Sequence, residues 1–475
     1  MEIAARYGVQ FGVMIVLARL LAPSDFGLIA MLLVFTTIAA LLVDSGFGTA
    51  LVQKQDTSDD DETTVFLSGI GISIVVGCIL WFCAPLVADF YSQPLLVPLT
   101  RLLLFVLPLS ALAAVPDALL TQRLDFRARA NAEIIASLCS GAVAVVLALR
   151  GFGVWSLAWQ SVVAIGMRAR LLWVYSHWRP HGRFRIASFR KLFAFGSYML
   201  MASLLNTLSI RLQSLLIGRL FDSSVLGYYT LAQNTQQAPA QFMSNVLNRV
   251  GLPVFSSVAD QPAKLVGALR LSLRVAVFVF MPSMVGIAVV AKSLITVLYG
   301  ARWAPAAPLL SVLAVAATFW PLHVLNLAAI SARGRSDLVF KLEVIKRVVS
   351  IPMIVAGSFF GALAIAWAVL AASVFGVIVN TWYSHKLLCY GVIAQLQDQA
   401  TTLALSIVAA GAAWLASHWL RYTPYALVVA IVTAALTYLG GAIVCRMAAW
   451  RDLLDLLRAL RSRNVAPIGS MGDQV

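Results

Sequence analysis

The sequence predicts an all-α integral membrane protein of about fourteen transmembrane helices, built as two parallel six-helix repeats with two extra C-terminal helices. Three observations carry that prediction. Apolar residues fill 61% of the 475 positions and charged residues only 12%, more apolar surface than a soluble core can hide. Apolar runs recur along the whole chain, each of roughly twenty residues or more and so able to cross about 30 Å of hydrocarbon. Segments of the first half also recur in the second at a near-constant spacing.

Read against Pro, Gly and charged punctuation, the span cores fall at 2–21, 26–48, 64–90, 98–120, 132–150, 154–176 and 193–220 in the first part of the chain. They continue at 225–247, 270–298, 306–331, 339–358, 361–384, 400–420 and 424–446. Numbered in order, the even loops and the tail hold about 24 basic residues, including Arg123, Arg127, Arg129, Arg179, Arg183 and Lys191, against 6 in the odd loops. The positive-inside rule then places the even loops and both termini in the cytoplasm. The formal charge of +15 follows from the same loops, which attract anionic membrane lipids and require no nucleic acid. Glu2 runs into a first apolar span followed by a second, so no cleavable signal peptide is evident. Cys78, Cys83, Cys139, Cys389 and Cys445 are scattered without disulfide or metal spacing.

The repeat is read from residues. Leu17-Ala-Arg-Leu-Leu-Ala-Pro-Ser-Asp-Phe-Gly27 matches Ile217-Gly-Arg-Leu-Phe-Asp-Ser-Ser-Val-Leu-Gly227, with Arg19, Leu20, Ser24 and Gly27 recurring at an offset of 200. Arg123 and Glu133 pair with Arg333 and Glu343 at 210, and Phe152-Gly153 and Ala158-Trp159 pair with Phe360-Gly361 and Ala366-Trp367 at 208. Six spans are an even number, so the second copy enters from the same side as the first. The domains expected are a first lobe over 1–178, a basic cytoplasmic inter-lobe loop over 179–192 and a second lobe over 193–388. An extra helix pair over 399–447 and an amphipathic or disordered cytoplasmic tail over 448–475 follow. Arg6 aligns with Asn206, near the middle of the seventh span, so the repeat predicts a natural start upstream of Met1. The alternative is a short first helix whose Arg6 snorkels to the interface.

Polar residues at bilayer depth must face protein or water. The eighth span carries Asn234, Gln237, Gln241, Asn245 and Asn248 on one helical face, with Pro239 expected to bend it. Arg6 and Gln10 share a face of the first span, and Asn206 and Gln213 the equivalent face of the seventh, with Arg211 beside them. These residues form the expected wall of a substrate cavity; interhelical hydrogen bonding is the competing reading. Arg211 stands out, because a buried guanidinium needs an anion: a structural carboxylate or a substrate diphosphate. Asp44, Asp117, Glu133 and Glu343 lie near expected cytoplasmic ends, and Glu343 should pair with Lys346 and Arg347. No acidic residue is convincingly at mid-membrane, so no proton or sodium site is visible, although coupling to either gradient stays open. His323 and Asn326 share a face and are expected to pack between helices. No P-loop or catalytic signature occurs, no extramembrane segment is long, and no catalytic residue, metal site or cofactor is expected: a transporter rather than an enzyme.

The run Leu17 to Gly27 resembles the opening motif of Wzx-type polysaccharide transporters, within the multidrug/oligosaccharidyl-lipid/polysaccharide exporter (MOP) superfamily that includes the MATE transporters. Val43-Asp-Ser-Gly-Phe-Gly-Thr-Ala-Leu-Val-Gln53, Phe152-Gly-Val-Trp-Ser156 and Gly218-Arg-Leu…Gly227-Tyr-Tyr229 are similar to family segments too, so the resemblance covers nearly the whole chain. It implies a flippase of a bacterial inner membrane that moves an undecaprenyl-diphosphate-linked oligosaccharide from the cytoplasmic to the periplasmic leaflet, its two lobes alternating around a cationic cavity. Partners it implies are lipid-linked oligosaccharide, membrane lipids, a polysaccharide polymerase and glycosyltransferases. Arg6 and Arg211 are assigned from this sequence and are not invariant in the family. A multidrug antiporter or a lipid II flippase of the same fold is the alternative. A membrane polymerase or ligase would need a large periplasmic loop, and every odd loop here is short.

Overall fold

The computed structural model describes residues 2–54, 57–420 and 425–463. The chain runs through α1 (Glu2–Leu20), α2 (Pro23–Asp44), α3 (Phe47–Gln53), α4 (Asp59–Tyr91), α5 (Leu96–Leu103), α6 (Val106–Gln122), α7 (Phe126–Leu149) and α8 (Val154–Ser176). It continues through α9 (Ile186–Leu220), α10 (Ser223–Ser257), α11 (Pro262–Tyr299), α12 (Ala306–Ala317), α13 (Trp320–Ala332), α14 (Ser336–Ser358), α15 (Ala362–Leu388), α16 (Val392–Trp419), α17 (Ala426–Val444) and α18 (Ala448–Arg463). Among the described residues no strand occurs, and nine helical segments are long and apolar enough to cross a membrane. The chain is an all-α, multi-pass membrane protein.

Two expected spans are broken, and for the same reason. The run 98–120 is divided at Leu104–Phe105 into α5 and α6, and the run 306–331 at Thr318–Phe319 into α12 and α13. Pro108 and Pro321 follow these breaks. A proline has no N–H for the carbonyl four residues earlier, here Leu104 and Ala317, and its ring crowds that carbonyl. The second expected span also stops early: Ser45 and Gly46 adopt left-handed backbone (φ 46° and 71°) and separate α2 from α3. The inter-lobe loop is shorter than 179–192, because α9 starts at Ile186. Helices α9 and α10 have 35 residues each, or about 52 Å at 1.5 Å per residue, and so overreach the hydrocarbon thickness. Helix α10 stays helical through Pro239.

The chain packs as two compact units. The first comprises Met1–Asn234, Leu298–Trp303 and Ser358–Ile365, so it holds α1 to α9 and the opening of α10. In it α2 lies along α9, and its start meets the opening of α10 backbone to backbone, where glycines leave room. A Cβ on Gly27 would stand 1.8 Å from the Ser223 carbonyl oxygen, and one on Gly227 would stand 1.9 Å from that of Pro23. Beyond the other end of α2, a Cβ on Gly46 would meet the Gly196 carbonyl oxygen at 2.3 Å. Small residues permitting backbone approach are a main source of helix association in lipid, where burial of apolar surface gives little driving force. The carbonyls that end α1 are capped from far along the chain: Trp303 Nε1 donates to the Ala18 carbonyl at 2.7 Å, and Arg302 donates to those of Leu21 at 3.0 Å and Arg19. Trp303 is fully buried, edge-on to Phe26.

The second unit comprises Thr235–Val297, Ala304–Gly357 and Ala366–Val475. Its core joins α11, α13 and α15 through Leu265, Leu269, Leu273, Leu325 and Val377. The expected tail helix forms as α18, with Trp450 packed on Phe278 and Asp452 paired with Arg274 at 3.0 Å. Residues 464–475 lie outside the described residues.

Candidate functional site

In the first unit, α9 presents Asn206, Arg211 and Gln213, α10 presents Asn234, and α1 presents Gln10. Gln10, Asn206 and Asn234 are exposed, and Arg211 is partly buried. Gln213 accepts a hydrogen bond from the Tyr229 hydroxyl at 2.6 Å, so it ties α9 to α10. Arg211 makes no ion pair or hydrogen bond among the described residues. In the second unit, Gln237 is partly buried and Gln241 exposed on the continuing face of α10. The side chains of Arg6, Asn245 and Asn248 lie outside the described residues. A polar side chain exposed at bilayer depth is stable against water and costly against lipid.

Two arginines of the first unit, Arg129 and Arg168, are neutralised by carboxylates, unlike Arg211. Asp117 holds both Arg129 at 2.7 Å and Arg168 at 3.1 Å, and Arg168 also holds Glu133 at 3.0 Å. This network borders a cavity of about 420 Å³ lined by Asp44, Thr49, Ser110, Asp117, Thr121 and Arg168. Asp117 and Glu133 were expected near cytoplasmic ends with no partner named; Arg168, on another span, pairs with both. Only the closure of α6, α7 and α8 on one another brings the three together. Glu343 does pair with Lys346 and lies 4.0 Å from Arg347, as the i+3 and i+4 spacing predicts. Lys346, however, is only 15% exposed.

The acidic run Asp59-Asp60-Asp61-Glu62 opens α4 and receives the basic inter-lobe loop. Arg185 pairs with Asp60 at 2.6 Å, the Arg183 amide donates to Asp60 at 2.7 Å, and Trp178 Nε1 donates to Glu62 at 2.6 Å. Carboxylates in a first helical turn suit the helix dipole, and Ser58 caps the same turn by accepting from the Asp61 amide. Lys54 also pairs with Asp61.

Two features of the second unit were not read from sequence. A cavity of about 490 Å³ lies among α11, α16, α17 and α18, lined almost wholly by apolar side chains such as Val279, Ile287, Ala410, Ile431, Leu439 and Leu453. The unit also holds a buried polar cluster. Asn326 accepts from Ser384 at 2.6 Å and Gln395 at 2.9 Å, and donates to Gln395 at 3.0 Å. Asn326 therefore packs between helices.

The model of the family described as polysaccharide biosynthesis protein matches residues 16–308, more than half of the chain. The chain belongs to the polysaccharide biosynthesis protein family. Its motifs are those of the Wzx-type transporters, and a membrane transporter of polysaccharide biosynthesis is the class they define. Similar relatives include the succinoglycan biosynthesis transport protein ExoT of Rhizobium meliloti (strain 1021), 25% identical over 98% of this chain and 95% of the relative. The lipopolysaccharide biosynthesis protein WzxC of Escherichia coli (strain K12) is 27% identical over 75% of this chain and 73% of its own. The teichuronic acid biosynthesis protein TuaB of Bacillus subtilis (strain 168) is 24% identical over 85% of both chains. Among solved structures, the lipid II flippase MurJ in an inward closed conformation matches with a TM-score of 0.76 at 14% identity, covering 95% of this chain and 98% of that one. An inward-facing multidrug resistance MATE family transporter of the MOP superfamily matches at 0.64 and 16% identity, covering 82% and 95%. Both likenesses are of fold, and this fold is the MOP-like arrangement expected from the motifs.

Proposed function

We propose that this transporter carries an undecaprenyl-diphosphate-linked oligosaccharide from the cytoplasmic to the periplasmic leaflet, for exopolysaccharide, O-antigen or capsule synthesis. The observation that carries this reading is Arg211: a partly buried guanidinium on α9 with no carboxylate on it among the described residues. A diphosphate offers such a group paired oxygens for both arms of its fork. Exposed Gln10, Asn206 and Asn234 supply hydrogen-bonding groups of the kind a sugar head needs. The apolar cavity bordered by α16 and α17 suits the isoprenoid tail, which has only apolar surface to bury. Alternating access would expose the head group to one side at a time, with Arg6, Gln10, Asn206, Arg211, Gln213, Asn234, Gln237, Gln241 and Asn245 along its path.

The deciding experiment replaces Arg211. Arg211→Ala should reduce polymer export by about a hundredfold, on the scale of an unpaired phosphate losing a charge-assisted contact of about 3 kcal/mol. Arg211→Lys should retain part of it, because a point charge replaces the fork. Wild-type export from a well-expressed Arg211→Ala protein would remove Arg211 from the path.

A further inference from the structure

His323 lies where α12, α13, α14 and α15 meet, within the second unit. Its Nε2 stands 3.3 Å from Ser373 Oγ, and Ser373 Oγ donates its own proton to the Ala316 carbonyl at 3.1 Å. The serine oxygen is therefore left to accept from Nε2–H. On the other side, Asn380 Nδ2 stands 3.3 Å from Nδ1 and can only donate to it. Both contacts select one form of the ring, the neutral imidazole with its hydrogen on Nε2.

The surroundings also contain what a second form would use. Asn380 is fully buried, and its Oδ1 has no partner. A half-turn of that amide would offer Oδ1 to a protonated Nδ1. The charged groups that face the ring, Lys346 and Glu343, both come from α14. Ser373 and Asn380 from α15 and the Ala316 carbonyl from α12 are uncharged, and Asn326 on the same helix is committed to Ser384 and Gln395. Gly376 keeps the ring and the lysine stem side by side: a Cβ there would lie 2.8 Å from His323 Cε1 and 3.2 Å from Lys346 Cδ. A proton on Nδ1 would turn the amide and compete with Lys346 for Glu343, loosening the contact between α13 and α14.

We propose that His323 is a proton-binding site whose protonation drives the second unit out of the arrangement described here, so that transport is coupled to a proton gradient. This rests on the transporter reading above. In the present arrangement Nδ1 is occupied as an acceptor of the Asn380 amide, whereas in an arrangement where Asn380 has turned its Oδ1 is there to accept from a protonated Nδ1. By linkage, acid must then shift the population toward the latter.

The test uses the full chain in lipid nanodiscs, with its five histidines 15N-labelled and titrated from about pH 8 to about pH 5. Polymer export in cells is measured alongside, with and without a protonophore. The His323 signal, identified by its loss in H323Q, should titrate together with backbone signals of α14 and α15. H323Q should abolish that linked movement and lower export by about tenfold or more, the residue no longer responding to the protonophore. Asn380→Asp sets a carboxylate beside Nδ1 and should raise the midpoint by about one pH unit or more; it decides the matter if H323Q does not fold. Linked movement surviving in H323Q, an unmoved midpoint in Asn380→Asp, or wild-type export indifferent to the protonophore would each overturn the proposal. Arg211→Ala separates the two readings, since it should lose export and keep the His323 titration.

Discussion

At the scale of single residues, partners decide what each charge is for. Arg185 and Asp60 form a good ion pair, yet the Arg185 side chain is 66% exposed, and exposed pairs contribute about 0–1 kcal/mol. Arg185→Ala should therefore lower thermal stability in detergent by no more than that. Trp303 is the opposite case, fully buried with its Nε1 capping a helix end. Trp303→Ala should cost about 3–5 kcal/mol through lost packing. Trp303→Phe should cost about 1–3 kcal/mol, because the Ala18 carbonyl loses its donor while most of the ring remains. Equal unfolding temperatures for the two variants would show that the hydrogen bond, rather than the ring, carries the effect. Sequence made Arg211 visible as a cation at depth. It could not show that Arg168 is neutralised and Arg211 is not, because that depends on which helices meet.

At the scale of elements, hydropathy was a good guide to where helices lie and a poor one to where they stop. The breaks before α6 and α13 fall inside apolar runs, and their signal is a proline displaced by four residues from the carbonyl it deprives. The early start of α9 was hidden for another reason: its first turns are basic and read as loop, whereas Phe189 and Phe193 pack on Phe47 there. The offset of 200 between Gly27 and Gly227 was legible, but its use was not. Each glycine rests on the backbone of the residue equivalent to Pro23 or Ser223 in the other copy, so the two matching segments cross reciprocally. Gly27→Val should destabilise this crossing by about 1–3 kcal/mol, and Gly227→Val by a similar amount. In a background without the native cysteines, Ser223→Cys should then react about tenfold faster with a membrane-impermeant thiol reagent when Gly27→Val is present. Unchanged labelling would mean that the crossing does not restrict access.

At the scale of the whole molecule, sequence repeats and packing units divide the chain differently. The repeat sets a boundary between 178 and 193, whereas the first packed unit continues through α9 to Asn234. The reason is the α2–α9 seam, which gives α9 its partners in the first unit, and the glycine crossing, which does the same for the opening of α10.

The cap on α1 sets an order for biogenesis. The carbonyls of Ala18, Arg19 and Leu21 receive their donors from Arg302 and Trp303, residues that leave the ribosome some 280 positions later. At synthesis rates of about 5–20 residues per second, the first helix would wait on the order of tens of seconds in the membrane before its end is closed. Throughout that interval the nascent first unit is one hydrogen-bonded latch short of its native form, which is when insertion chaperones and quality-control proteases would have access to it.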